Sequence, residues 1–257
     1  MEYAHLSSTV SIKTISEDAK EGVFEVEGLF AGYGMTLGNA MRRALLSSLP
    51  GAAATEIKMK GVPHEFSTLP GLQEDIVELA LNFKKLRFRL EVDEPQVLSL
   101  RVKGERVVTA GDIVLNSEVE LANPEEIIGH LTAKDAELDI EIKVERGLGY
   151  VPAEARTTEG RLAIGTIALD AIFTPVQHVN FVIEDMRVGD RTDYNRLRLE
   201  VGTDGTVSPS SAVHKAANIL RDHFDKVSAV VTQEFDLPKS GAEEPKKKAT
   251  KKKKEEE

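Results

Sequence analysis

The chain has 257 residues, no cysteine and a formal net charge of −10. It is long enough for one large or two modest domains, and disulfides, a thiol nucleophile and a thiolate metal site are excluded. From Lys239 onward eight lysines and five glutamates give +3, so the body carries −13 and is poorly suited to broad contact with phosphates. Basic protein partners or local patches suit it better. The N-terminus carries no signal peptide, and no apolar run reaches membrane-spanning length. The chain is therefore expected in the cytoplasm, with no membrane partner.

A strand is expected at Val23–Val26, followed by a glycine turn at Gly32 and Gly34 and a helix that Thr36 can cap. Leu49-Pro50-Gly51 stops that helix, because Pro50 disfavours a helical residue before it. At about 100° per residue, Leu37, Ala40, Met41, Ala44 and Leu45 share one side, widened by Leu46 and Leu49. A stripe this wide predicts burial against two partners. Gly38 lies inside it, where a mid-helix glycine costs about 1 kcal/mol relative to alanine, so another backbone is expected to approach there. Arg42 projects between Leu46 and Leu49 and must be paired or extend along its stem. Arg43 projects on the polar side with Asn39 and Ser47, where its fork of donors can meet carboxylates of a partner.

Period-two alternation dominates the middle of the chain. Thr55, Ile57 and Met59 face one way and Glu56, Lys58 and Lys60 the other. Leu86, Phe88, Leu90 and Val92 alternate with charges, as do Leu138, Ile140, Ile142 and Val144. A helix is predicted from Gln73 to Lys84, with Glu74 and Asp75 at its start and Lys84 and Lys85 at its end, as the helix dipole favours. Further strands are expected at Val97–Val102, Phe181–Ile183 and Leu197–Val201. The fold class is α+β, rich in antiparallel strands. Ser208 and Pro209 then start a long helix. Val213, Ala217, Leu220, Phe224, Val227 and Val231 follow at heptad spacing. Such a seam can lie on the chain's own sheet or on a helix of a second copy. With the wide first helix and Gly38, it favours a symmetric homodimer, whose interface would comprise Leu37, Gly38, Met41, Leu45 and these seam residues. After Leu237-Pro238 the composition cannot offset its ordering entropy by burial, which predicts a disordered Lys/Glu-rich tail over 238–257.

Nothing in the sequence supports a catalytic, cofactor or metal site. Gly32-x-Gly34-x-x-x-Gly38 matches neither the dinucleotide fingerprint nor a P-loop. The six histidines show no paired metal spacing on one element, and His64 and His130 read as structural. The paired acids Glu74-Asp75 and Glu184-Asp185 are adjacent and so diverge in direction. No acidic arrangement for two magnesium ions is present.

GYGMTLGNAMRRALLSSLPGAA (Gly32 to Ala53) resembles the signature of the bacterial RNA polymerase alpha subunit family. GVPHEFSTLPGLQEDIVELALNFKKL (Gly61 to Leu86) continues the match. VERGLGYVPA (Val144 to Ala153), FTPVQHVNF (Phe173 to Phe181) and RTDYNRLRLEVGTDGTVSP (Arg191 to Pro209) follow in the family's order. The resemblance spans about Leu6 to Phe235. It implies a dimerisation subdomain from residues 1–50 and 173–237, with packed helices on antiparallel sheet, and an inserted strand-rich lobe over 51–172. It further implies a non-catalytic homodimer that is the platform for the beta and beta-prime subunits, with DNA met only through the complex. Arg43 matches the arginine that matters for beta binding, and Lys84 matches a second large-subunit contact. The VERGLGYVPA loop is a further candidate. Two departures stand out. The family's Pro-Leu-x-Arg pattern is replaced by Gly28-Leu29-Phe30-Ala31, and the Lys/Glu tail stands where the family continues into a small DNA- and activator-binding domain. Promoter recognition is therefore not carried over, though weak tail contact with DNA is an open expectation.

Overall fold

The structure, a computed structural model, describes residues 8–157 and 165–230. The chain runs through β1 (Ser11–Glu17) and β2 (Glu21–Leu29), turns into α1 (Tyr33–Ser47) and returns along β3 (Pro50–Met59). Next come α2 (Ile76–Lys84) and the strands β4 (Phe88–Leu90), β5 (Gln96–Lys103), β6 (Arg106–Thr109), β7 (Ile113–Val114), β8 (Val119–Leu121) and β9 (Ile127–Leu131). A long β10 (Glu137–Leu148) precedes β11 (Tyr150–Val151), α3 (Ala153–Thr157), β12 (Thr166–Ala168) and β13 (Ala171–Ile172). The hairpin of β14 (Val176–Val188) and β15 (Arg191–Thr203) then leads to α4 (Pro209–Ser228). This is the α+β class, with every strand pair antiparallel among the described residues.

One sheet has the order β1-β2-β15-β14 and joins the two ends of the described chain. Alternation on β15 explains its faces: Leu197, Leu199 and Val201 are buried, while Arg196 and Arg198 point the other way. Phe24, Leu199 and Val201 form one core with Met41, Ala44 and Leu45 of α1 and Ala212, Val213 and Ala216 of α4. On the opposite face Arg196 bridges Glu27 at 3.2 Å and Glu184 at 3.6 Å.

The other large sheet has the order β7-β5-β10-β3-β4-β8, with β12 added on β3. Its central register pairs Ile142 with Ile57 and Ile140 with Met59, so the two predicted alternations meet on one face. Thr55, Ile57, Met59, Leu138, Ile140, Ile142 and Val144 are all buried there. Ile76, Leu79 and Phe83 of α2, with no accessible surface, close over this core. The outer face carries charges, with Lys143 held between Glu56 at 3.1 Å and Glu145 at 2.9 Å.

Three local expectations need correction. The first helix begins at Tyr33, not after Thr36, and Thr36 caps nothing. Gly32 is the N-cap residue, with φ of 84°. The second helix begins at Ile76: Asp75 caps it by accepting the Glu78 amide, and Gln73 and Glu74 belong to the loop before it. Of the Leu86–Val92 alternation only Phe88–Leu90 is strand. Val231 and the 238–257 tail lie outside the described residues.

Candidate functional site

The start of α1 is set by a buried polar contact. Asn195 of β15 accepts the Gly32 amide at 2.9 Å and donates to Asp185 at 3.2 Å. Beyond it α1 lies close on the sheet. A Cβ on Gly38 would come within 2.8 Å of the Phe181 ring and 3.1 Å of Leu197. The close approach that the sequence predicts is therefore real, but a side chain of the same chain makes it, not another backbone.

That packing redistributes the expected dimer residues. Gly38, Met41, Leu45 and Val213 are buried within the single chain. Leu37 and Leu220 are half-buried and Ala217 is exposed. The buried stripe of α4 runs through Pro209, Ala212, Val213 and Ala216, which pack on α1 and on the sheet of the same chain. Residues 221–230 are exposed throughout. Phe224 and Val227 are each 64% exposed, and Val230 is 68% exposed. These three lie on the same layer as Tyr33 and Met35 at the start of α1, exposed by 49% and 54%.

Arg42 and Arg43 are both exposed, and neither guanidinium has an ion-pair partner among the described residues.

The α2 region forms a second surface. The loop entering α2 is clamped to β9: His130 donates its backbone N–H to Glu74 at 2.7 Å, and its ring Nδ1 lies 2.5 Å from the same carboxylate. Gln73 donates to the His130 carbonyl at 3.0 Å. Burial pushes the Glu74 carboxyl up, but donation from the His130 ring and backbone outweighs it and holds the group below its ordinary 4.5. The stabilisation is thus full above that value and is lost as pH falls through the lower folded-state value. Glu74→Gln is expected to cost about 1–3 kcal/mol at neutral pH. The gap should narrow on acidification below 4.5, and thermal unfolding of both proteins at neutral and acid pH checks it. A gap independent of pH would contradict the clamp.

Lys84 ends α2. Its ammonium lies 3.0 Å from Asp170, so this expected contact residue already has an internal partner. Phe66, Val77 and Leu81, exposed by 79%, 39% and 51%, border a shallow hollow floored by Ile167, with Lys84 and Asp170 at its rim. The VERGLGYVPA segment runs from the end of β10 through β11. The Phe173 ring lies 2.7 Å from where a Cβ on Gly147 would stand.

The adjacent acids do diverge: Glu74 meets His130 while Asp75 caps α2, and Glu184 meets Arg196 while Asp185 accepts from Asn195. The glycines of this segment are committed as well: Gly34 and Gly38 face the sheet, and the Gly32 amide donates to Asn195. Among the described residues no group of three or more His, Asp or Glu could hold a metal ion, and no helix is long and apolar enough to cross a membrane. Sequence reasoning missed Asn195 and Asp170. An acid inside the apolar run IALDAIF was the available signal for the latter.

Comparison with known proteins places the chain in a family. Residues 56–174 match the RNA polymerase Rpb3/RpoA insert domain. The chain is 52% identical over 213 residues to the DNA-directed RNA polymerase subunit alpha of Carboxydothermus hydrogenoformans, which covers 83% of this chain and 67% of that protein. The chain belongs to the RNA polymerase alpha subunit family. The same subunit of Symbiobacterium thermophilum is 50% identical over 82% of this chain and 66% of its own length. That of Moorella thermoacetica is 50% identical over 80% and 66%. The chain thus spans about two thirds of the length of the relatives it matches.

Proposed function

We propose that the chain is the assembly subunit of a DNA-directed RNA polymerase. Two copies associate through the α1–α4 layer, and the dimer captures the beta and beta-prime subunits. Residues 1–50 and 173–237 would act as the dimerisation subdomain and 51–172 as the inserted lobe. The dimer contact falls to Leu37, Ala217, Leu220, Phe224, Val227 and Val231, while Gly38, Met41, Leu45 and Val213 support it from beneath. Nucleotide addition belongs to the large subunits, DNA is met through the complex, and the assembly works in the cytoplasm.

The observation that carries this reading is Arg43. In the RR pair of a family signature, it stands exposed on α1 without an ion-pair partner among the described residues. A planar fork of donors held this way on a rigid helix suits carboxylates of a large partner. Arg43→Ala is expected to weaken large-subunit capture by about 2 kcal/mol or more, some thirtyfold, with the homodimer intact. Co-purification of tagged variants checks both. A monomeric Arg43→Ala protein would place Arg43 in the wrong interface.

A further inference from the structure

Lys84 and the Tyr150–Ala153 segment come from distant parts of the chain, yet one carboxylate joins them. Asp170 accepts from the Lys84 ammonium at 3.0 Å through Oδ2 and from the Ala153 amide at 2.9 Å through Oδ1. Just beyond Asp170, β13 pairs Ala171 with Val151 and Ile172 with Tyr150. The end of α2, the β11–β13 ribbon and the start of α3 therefore converge on this side chain. Lys84 and Asp170 keep only 24% and 34% of their side-chain surface exposed. Donation from the Ala153 amide, and then from Lys84, holds the Asp170 carboxyl below the usual carboxylate range against the effect of burial.

We infer that Lys84 serves the large-subunit surface through Asp170: it is a positioning residue that fixes the Tyr150–Ala153 segment against α2, not a free cation offered to the partner. The functional half of this inference rests on the assembly reading above. An ammonium already neutralised at 3.0 Å has little charge left to offer across an interface. The segment it secures carries Tyr150, which is 58% exposed and available for contact.

A double-mutant cycle on the full chain separates the two roles. Lys84→Met, Asp170→Ala and the double variant would be compared for retention of the beta and beta-prime subunits, with homodimer mass and thermal midpoint as controls. Each single change is expected to lower retention about tenfold, and the double variant by about tenfold again in total and not about a hundredfold. Asp170→Asn keeps an acceptor for Ala153 but loses the charge facing Lys84, so it should fall between wild type and alanine. Independent losses that multiply, or a loss in Lys84→Met with none in Asp170→Ala, would overturn the inference.

Amide exchange in the free protein tests the physical half without any partner. Lys84→Met should speed exchange at Ala153, whereas an unchanged rate would overturn the positioning chain. If the exchange result holds but wild type retains no large subunit, the assembly reading fails and the functional half of the inference fails with it.

Discussion

Aspartate at Phe224 or Val227 is expected to turn the homodimer into a monomer while leaving the fold intact. Both side chains are 64% exposed in the single chain, so a carboxylate there costs the monomer little. In the proposed interface the same group would be buried without a partner, at about 3 kcal/mol or more for each of two symmetric sites. Leu45→Ala should behave oppositely. Leu45 has no accessible surface, so its loss destabilises each copy by about 2–5 kcal/mol through the cavity it leaves. Native mass and thermal unfolding separate the two outcomes. A dimer mass unchanged in both aspartate variants would remove the end of α4 from the interface.

Restoring the family's proline at residue 28 is expected to damage this chain, although it repairs the sequence pattern. Gly28 has φ of 74°, and a Cβ there would stand 2.1 Å from the Thr9 carbonyl oxygen. Its amide donates to the Met186 sulfur at 3.2 Å. Proline requires φ near −65° and has no N–H, so Gly28→Pro should cost about 3 kcal/mol or more. Unfolding in denaturant measures this, and unchanged stability would mean that β2 can end in the conformation the family's proline requires. The neighbouring substitutions have their own local partners. Phe30 lies under the Arg191 guanidinium at 4.9 Å and meets the Tyr194 ring edge-on at 6.0 Å, while Ala31 is exposed. The segment from Gly28 to Ala31 is thus built around glycine's backbone freedom and an aromatic–cation contact.

The parts of the fold that the sequence made readable are those whose burial repeats. β3 and β10 each bury alternate residues against one core, and this wrote the period-two pattern in Thr55–Met59 and Leu138–Val144. Ser208 and Pro209 marked the start of α4 because the cap chemistry is local. β1 left no such mark: all seven of its residues are exposed, so no face repeats. The two-residue strands β7, β11 and β13 are too short to hold a period.

The site divides in the same way. The exposure of Arg43 was legible because its direction follows from helical geometry alone. The reason for Gly38 was not, since it depends on Phe181, which only the register of β14 on β15 brings beneath α1. Lys84 gave its position at a helix end but not its partner, because Asp170 is 86 residues away. The heptad seam on α4 carried two roles at once. Val213 serves the chain's own core while Phe224 and Val227 remain free, and spacing alone could not divide them.

The most direct test of the account is gentle affinity purification of the tagged full chain from its own cells at low salt, with native mass measurement of what is retained. The account predicts two copies of the chain bound to two very large subunits, with retention of the large subunits sharply reduced in Arg43→Ala while the two copies stay together. Recovery of the homodimer alone from wild type would contradict it.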